Sequence, residues 1–294
     1  MRSLLFVPAD SPKKLDKAMT SGADALIVDL EDSVALDAKT RARDGAAAFL
    51  KEAGAQGNRP YLVVRVNGLQ TGLTDADLDA VIAARPDAVM LPKAEGGGSI
   101  AHLDAKLAVR EAIGGLPDGA VKIVAIATET AAALFQAGTY GGASARLVAL
   151  TWGAEDLSAD LGAEANRDAA GGYLDPYRLA RALCLAGAAV AQVPAIDTVF
   201  IDFRDDAGFR RDCEESRRDG FVGKMAIHPA QVPVINALFT PTPQALAQAQ
   251  EIIDAFAANP GAGVVGLRGV MVDRPHLARA QRLLARSAGV KKPG

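Results

Sequence analysis

Eight short runs of apolar, often β-branched residues recur along the chain, at 3–7, 25–30, 61–66, 88–91, 122–127, 147–151, 198–203 and 224–227. Most are continuous rather than alternating, which is the pattern of parallel strands covered on both faces. Between them lie Ala- and Leu-rich stretches with helical spacing and few breakers, among them 11–21, 37–53, 74–84 and 176–191. Strand–helix alternation predicts βα units, and eight such units predict closure into a (β/α)8 TIM barrel. The polar residues point the same way. Each run is followed at once by a group suited to chemistry: Asp10, then Asp29 with Glu31 and Asp32, then Asn67, Lys93, Glu129, Glu155 with Asp156, Asp202 and His228. A barrel gathers its active site from the C-terminal ends of all its strands, whereas an open doubly wound sheet concentrates it at one switch point.

The pattern changes near Pro241. Residues 242–258 read as a helix opened by Thr and Pro, Asn259-Pro-Gly-Ala-Gly263 breaks it, and a short apolar segment at 264–272 precedes a last helix at 275–288. The expected organisation is a barrel domain over 1–240 and a C-terminal helical extension over 241–294.

Composition narrows the functional classes. Half of the 294 residues are hydrophobic and 23% are charged, enough for a large core and unlike a disordered chain. A net charge of −3 gives no basic field for nucleic acid. Cys184 and Cys213 lack the number and spacing of a disulfide or metal framework and read as reduced, buried thiols. No apolar run reaches membrane-spanning length, and Pro8 and Asp10 cut the first one too short for a signal peptide. A soluble, cytoplasmic protein is expected.

The chemistry must then come from the strand ends. Gly261-Ala-Gly263-Val-Val-Gly266 has the dinucleotide-binding spacing, but a helix precedes it and an extended segment follows, the reverse of the required context. Three scattered histidines lack the spacing of a zinc site. Glu129 and Asp156 follow adjacent strands. They suit either capping of the next helix or ligation of Mg²⁺, which takes one or two carboxylates plus water and substrate oxygens. Arg65 lies inside an apolar run, where a charge must be paired or functional; the structural reading is an ion pair with Asp29 or Glu31, and the functional one a guanidinium aimed at a carboxylate or a developing enolate. Lys13, Lys14 and Lys17 read as a solvated helix face or as a contact for a phosphorylated cofactor such as coenzyme A. Lys93 is a candidate Schiff-base lysine, in competition with metal chemistry at the two acids. No serine or cysteine has the setting of a nucleophile.

Taken in order, Arg2-Ser-Leu-Leu-Phe-Val-Pro8, Val28-Asp-Leu-Glu-Asp32, Val64-Arg-Val-Asn67, Met90-Leu-Pro-Lys93, Glu129-Thr-Ala131, Trp152-Gly-Ala-Glu-Asp-Leu157, Ile201-Asp-Phe-Arg-Asp205, Ile227-His-Pro229 and Met271-Val-Asp273 make the chain resemble the citrate lyase β-subunit-like proteins of the HpcH/HpaI aldolase superfamily, the CoA ester lyases. The resemblance runs essentially end to end. It implies a TIM barrel, a homotrimer or hexamer, Mg²⁺, and a thioester of coenzyme A or acyl carrier protein as substrate. Carried over by position, Glu129 and Asp156 match the metal ligands and Arg65 the arginine on the reacting oxygens. Phe6, Lys13, Lys17, the loop holding Glu31 and Asp32, and Ile227 with His228 match the thioester site. Asp273 matches a tail aspartate that reaches a neighbouring subunit's site, where it suits proton transfer. Phe6 departs from relatives with tyrosine, and Ala9 stands where glycine commonly follows the proline.

The implied reaction is cleavage of a 3-hydroxyacyl thioester such as malyl-CoA or citramalyl-CoA to acetyl-CoA and a 2-oxo acid. The alternatives are the β subunit of a carrier-protein-dependent citrate lyase, a malyl-CoA thioesterase or malate-synthase-like enzyme, and a class II aldolase on free 2-oxo acids.

Overall fold

The computed structural model describes residues 1–288, which form two compact units, 1–236 and the segment from Ala237 onward. In the first unit, eight parallel strands follow one another around a barrel: β1 (Ser3–Pro8), β2 (Ala25–Asp29), β3 (Tyr61–Arg65), β4 (Ala88–Leu91), β5 (Lys122–Ile126), β6 (Leu147–Thr151), β7 (Ile196–Asp197) and β8 (Gly223–Ala226). The ladder runs without a break from β6 back through β1 to β8 and β7. Leu150 completes the ring through a parallel bridge to Ala195, and its N–H donates to Pro194 O at 3.1 Å. The structure is therefore the TIM barrel that the strand–helix alternation predicts.

The helices after the strands are α1 (Pro12–Ala18), α2 (Lys39–Gly54), α3 (Thr74–Val81), α4 (Gly97–Ile113), α5 (Ala131–Leu134), α6 (Ala154–Leu161), α7 (Asp175–Ala191), α8 (Asp206–Asp219) and α9 (Gln231–Phe239). Two-residue periodicity separates the two faces of each strand. Leu4, Ala25, Ile27, Val63, Ala88, Met90, Val124, Ile126, Ala149, Ile196 and Met225 form one cluster that fills the barrel interior. Continuing that face two residues further along β2 and β3 brings Asp29 and Arg65 to the mouth.

The seventh strand corrects the sequence reading. The apolar run at 198–203 is not a strand; only Ile196 and Asp197 pair, with Gly223 and Lys224 of β8. Beyond Asp197 the backbone turns on itself, with Phe203 N–H donating to Ile201 O at 2.9 Å, and Ile201 and Phe203 stand exposed. Their hydrophobicity mimics a buried strand without being buried. β8 begins at Gly223, and this glycine is required, because a Cβ there would lie 2.3 Å from Arg2 O.

On the outer face, the pairing of β7 with β8 sets Asp197 beside Lys224. The fully buried Lys224 Nζ lies 2.6 Å from both Asp197 Oδ2 and Asp212 Oδ2, and Trp152 Nε1 donates to Asp197 Oδ1 at 2.6 Å. Cys184 and Cys213 are free and buried, and burial pushes both thiols up, that of Cys213 to about 12, the opposite of the setting that activates a thiolate.

In the second unit, α10 (Pro243–Ala257) is opened by Thr242, whose hydroxyl accepts from Ala245 N–H at 3.1 Å. The apolar segment at 264–272 is an antiparallel hairpin, β9 (Val264–Leu267) and β10 (Val270–Asp273), followed by α11 (Arg274–Ala288). Arg268 and Gly269 both take positive φ, 51° and 78°, the two-residue turn whose twist suits a hairpin. Phe256, Val265 and Val272 form the small core of this unit. The dinucleotide-like glycine string thus leads into a strand of the hairpin. Among the described residues no helix is long and apolar enough to cross a membrane.

Candidate active site

The register of β2 against β3 places Asp29 beside Arg65. Arg65 Nε and Nη2 donate to the two oxygens of Asp29 at 2.6 and 2.7 Å, a bidentate pair that fixes the guanidinium plane. Burial alone would raise the Asp29 carboxyl; the hydrogen bond and charge of Arg65 outweigh it and hold it below the usual range. The remaining nitrogen, Nη1, lies 3.0 Å from Glu31 Oε2 and 3.6 Å from Asp32 Oδ2. The guanidinium also sits over the Phe6 ring, 4.8 Å from its centroid. The ion-pair partners named from the sequence are thus present: Asp29 accepts from Nε and Nη2, and Glu31 faces Nη1.

The loop carrying Glu31 is anchored by a residue that sequence patterning missed. Lys39, at the start of α2 and buried, donates from Nζ to Leu30 O and Glu31 O at 2.7 Å each. Asn67, flagged as a strand-end polar group, acts structurally. Its N–H and its Nδ2 both donate to Asp77 Oδ2 at 2.7 Å, tying the β3 end to α3.

Glu129, just past β5, is buried, and Asp156 lies in the first turn of α6. Burial pushes the Glu129 carboxyl well above its ordinary value, and the nearby Asp156 charge pushes it further. Glu129 Oε2 accepts from Lys93 N–H at 2.6 Å. Lys93 Nζ lies 2.6 Å from Glu31 Oε1 and 3.1 Å from Asp156 Oδ1. Burial lowers the Lys93 ammonium, but the hydrogen bond and charge of Glu31, with the charges of Glu129 and Asp156, outweigh it and raise it. A Schiff-base lysine needs the opposite environment, so Lys93 is an ion-pairing residue here.

Gly153 is the second residue that the sequence reading did not single out. A Cβ at this position would lie 2.7 Å from Glu129 Cγ and 3.0 Å from Oε1. Gly153→Ala is expected to push the Glu129 carboxylate aside and lower turnover by about 10²-fold with the circular dichroism spectrum unchanged. Wild-type turnover in that variant would show that the carboxylate position is not critical.

Phe6, Glu31, Asp32, Arg65, Glu129 and Asp156 thus converge at the mouth, joined by Asp29 and Lys93. Lys13 and Lys17 are exposed on α1. Ile227 is exposed, and His228 stacks on Phe203 with ring centroids 4.6 Å apart. In the second unit, Asp273 is paired to the His276 ring through Nδ1. The hydrogen bond from His276 holds the Asp273 carboxyl below its ordinary value.

Two carboxylates without histidine or cysteine form a hard, all-oxygen donor set. Among the described residues no group of three or more His, Cys, Asp or Glu is arranged to hold a metal ion. A pair still fits Mg²⁺, which completes its shell with water and substrate oxygens. A divalent cation would also relieve the repulsion that raises Glu129.

The sequence model described as HpcH/HpaI aldolase/citrate lyase matches residues 2–229, most of the chain. The chain belongs to this family. It is accordingly a carbon–carbon lyase, and a second model, described as a C–C bond lyase of the TIM-barrel fold, matches residues 178–290. Citrate lyase subunit beta of Leuconostoc mesenteroides subsp. cremoris is 34% identical over 96% of this chain and 92% of that protein. A (3S)-malyl-CoA thioesterase of Cereibacter sphaeroides (strain KD131) is 35% identical over 98% of this chain and 95% of its own length. Among solved structures, protein CitE of Mycobacterium tuberculosis in complex with magnesium, acetoacetate and coenzyme A matches with a TM-score of 0.76 and 33% identity, covering 98% of both chains.

Proposed function

We propose that this family member cleaves the carbon–carbon bond of a 3-hydroxyacyl thioester of coenzyme A, of the malyl or citramalyl type, to acetyl-CoA and a 2-oxo acid. The observation that carries this reading is the convergence of Glu129 and Asp156 with a guanidinium already fixed in plane by Asp29. Glu129 and Asp156 would hold Mg²⁺, which supplies Lewis acidity toward the carboxylate and hydroxyl of the substrate. The similarity to CitE, solved with magnesium and coenzyme A, supports a site that takes a divalent cation and a coenzyme A ester.

The remaining steps fall to side chains. The substrate hydroxyl gives up its proton to the carboxylate of the partner subunit's Asp273, the C–O bond becomes the carbonyl of the 2-oxo acid, and the electron pair of the breaking carbon–carbon bond passes to the carbon next to the thioester. Arg65 offers Nη1 to the resulting enolate oxygen, and the Asp29 pair means that no reorientation is needed as charge develops. Phe6 covers the guanidinium and keeps water from it. The exposed Lys13 and Lys17 would bind the phosphates of coenzyme A, while the loop of Glu31 and Asp32 and the Ile227–His228 turn border the thioester. Asp273 of the partner subunit would then return that proton to the enolate carbon to give acetyl-CoA, which requires a trimer or hexamer.

Hydrolysis of the thioester is the second reading, favoured by the similarity to the malyl-CoA thioesterase. Product analysis separates the two, because cleavage yields acetyl-CoA and glyoxylate from malyl-CoA, while hydrolysis yields malate and free coenzyme A. Retention on immobilised coenzyme A, weakened by Lys13→Ala with Lys17→Ala, is expected. Turnover of free 4-hydroxy-2-oxo acids without such retention would instead indicate a free-acid aldolase, and turnover only of acyl-carrier-protein thioesters a citrate lyase subunit. Asp273→Asn and Arg65→Ala are each expected to be inactive, and mixing them after subunit exchange should restore part of the activity. A mixture that stays inactive despite confirmed exchange contradicts the shared site.

A further inference from the structure

Lys93 serves the two proposed metal ligands with two different groups. Its backbone is left-handed, with φ 50°, a conformation uncommon outside glycine. In this conformation its N–H holds Glu129 Oε2 at 2.6 Å, while its Nζ lies 3.1 Å from Asp156 Oδ1. The same ammonium has a closer anchor, Glu31 Oε1 at 2.6 Å, and Asp32 Oδ2 lies 3.8 Å away. A tethered cation therefore stands at contact distance from a carboxylate that a divalent ion would approach to about 2.1 Å. Two cations on one carboxylate repel strongly at such separations. Glu31 gives the ammonium somewhere to remain when Asp156 is taken.

We propose that Lys93 competes with the divalent cation for Asp156 and so sets metal affinity, yielding that contact while keeping Glu31. This rests on the reading of Glu129 and Asp156 as metal ligands. The lysine acts as a positioning residue: its main chain orients one ligand and its side chain guards the other. A loosely held ion is then retained mainly when substrate oxygens complete the shell, which couples metal retention to substrate binding.

The test is calorimetric titration of Mg²⁺ into EDTA-treated, dialysed protein without substrate, so that activity plays no part in the readout. Lys93→Met keeps the side-chain length and the main-chain N–H but removes the charge. Its Mg²⁺ affinity is expected to rise roughly tenfold or more, while Lys93→Arg stays near wild type. Lys93→Gly suits the left-handed backbone and retains the N–H, so it should show the same rise if Lys93→Met does not fold. Unchanged or weaker affinity in the neutral variants, with wild type binding Mg²⁺ normally, overturns the competition and leaves the ligand assignment standing. No Mg²⁺ binding in wild type or in either neutral variant overturns the ligand assignment, and the proposal with it.

Discussion

Glu129→Gln is expected to lower turnover by at least about 10³-fold while leaving thermal unfolding nearly unchanged. Glutamine has almost the same shape, so the packing against Gly153 survives. The amide still offers an oxygen to Lys93 N–H, which now donates to the carboxylate at 2.6 Å. What disappears is the charge. Glu129 is buried and pushed well above its ordinary pKa by burial and by Asp156, so removing it relieves repulsion in the folded protein. A retained or slightly raised melting temperature with lost turnover is the signature of a group kept for chemistry at a cost in stability. Asp156→Asn should behave alike in turnover. Full activity in either variant, measured on a thioester that the wild type cleaves, would remove that residue from the catalytic centre.

Lys224→Met is expected to have the largest effect on stability and little on the chemistry of the molecules that remain folded. Its ammonium is fully buried between Asp197 and Asp212, 2.6 Å from each. Removing it takes the nearest cation from two buried carboxylates, leaving Arg181 at 3.5 Å from Asp197 and Arg167 at 2.8 Å from Asp212. The cost is up to about 3–5 kcal/mol, or up to about 6–20 °C in melting temperature for a domain of this size. The pH dependence gives a second readout. Burial raises the Asp197 carboxyl, but the charges of Lys224 and Arg181 outweigh it and lower it to about 2 from 3.8. A depressed folded-state pKa means that this stabilisation is fully present above about pH 4 and is lost as pH falls toward 2. The stability gap between wild type and Lys224→Met should therefore be widest near neutrality and narrow below pH 4. A gap independent of pH would show that Asp197 does not draw its ionisation from Lys224.

Much of this was legible because a barrel strand covered on both faces must be apolar throughout. Seven of the eight runs coincide with strands to within a residue or so at each end, and the strand-end polar groups mark the mouth. The misplacement at β7 arose because Ile201 and Phe203 are apolar yet exposed, while the true strand is two residues long and carries an aspartate. The hairpin of the second unit was hidden because its turn, Arg268-Gly269, lacks the usual asparagine or aspartate.

At the site, the Arg65 partners could be named from the cost of an unpaired charge in a strand, and Asp29 and Glu31 are there. Lys39, Gly153 and Lys93 were not legible in these roles. Lys39 looks like an ordinary residue at a helix start, yet it holds two carbonyls of the Glu31 loop. The need for glycine at 153 comes from a side chain on a neighbouring strand end. Lys93 acts partly through its main chain, which no residue-type argument reveals.

The most direct test of the central claim is acetyl-CoA formation from malyl-CoA and from citramalyl-CoA by EDTA-treated protein, before and after Mg²⁺ is added back. The account predicts no release in EDTA, release from at least one thioester when Mg²⁺ is restored, and an equimolar 2-oxo acid. Equal release with and without Mg²⁺, or no release from either thioester by folded protein, would contradict it.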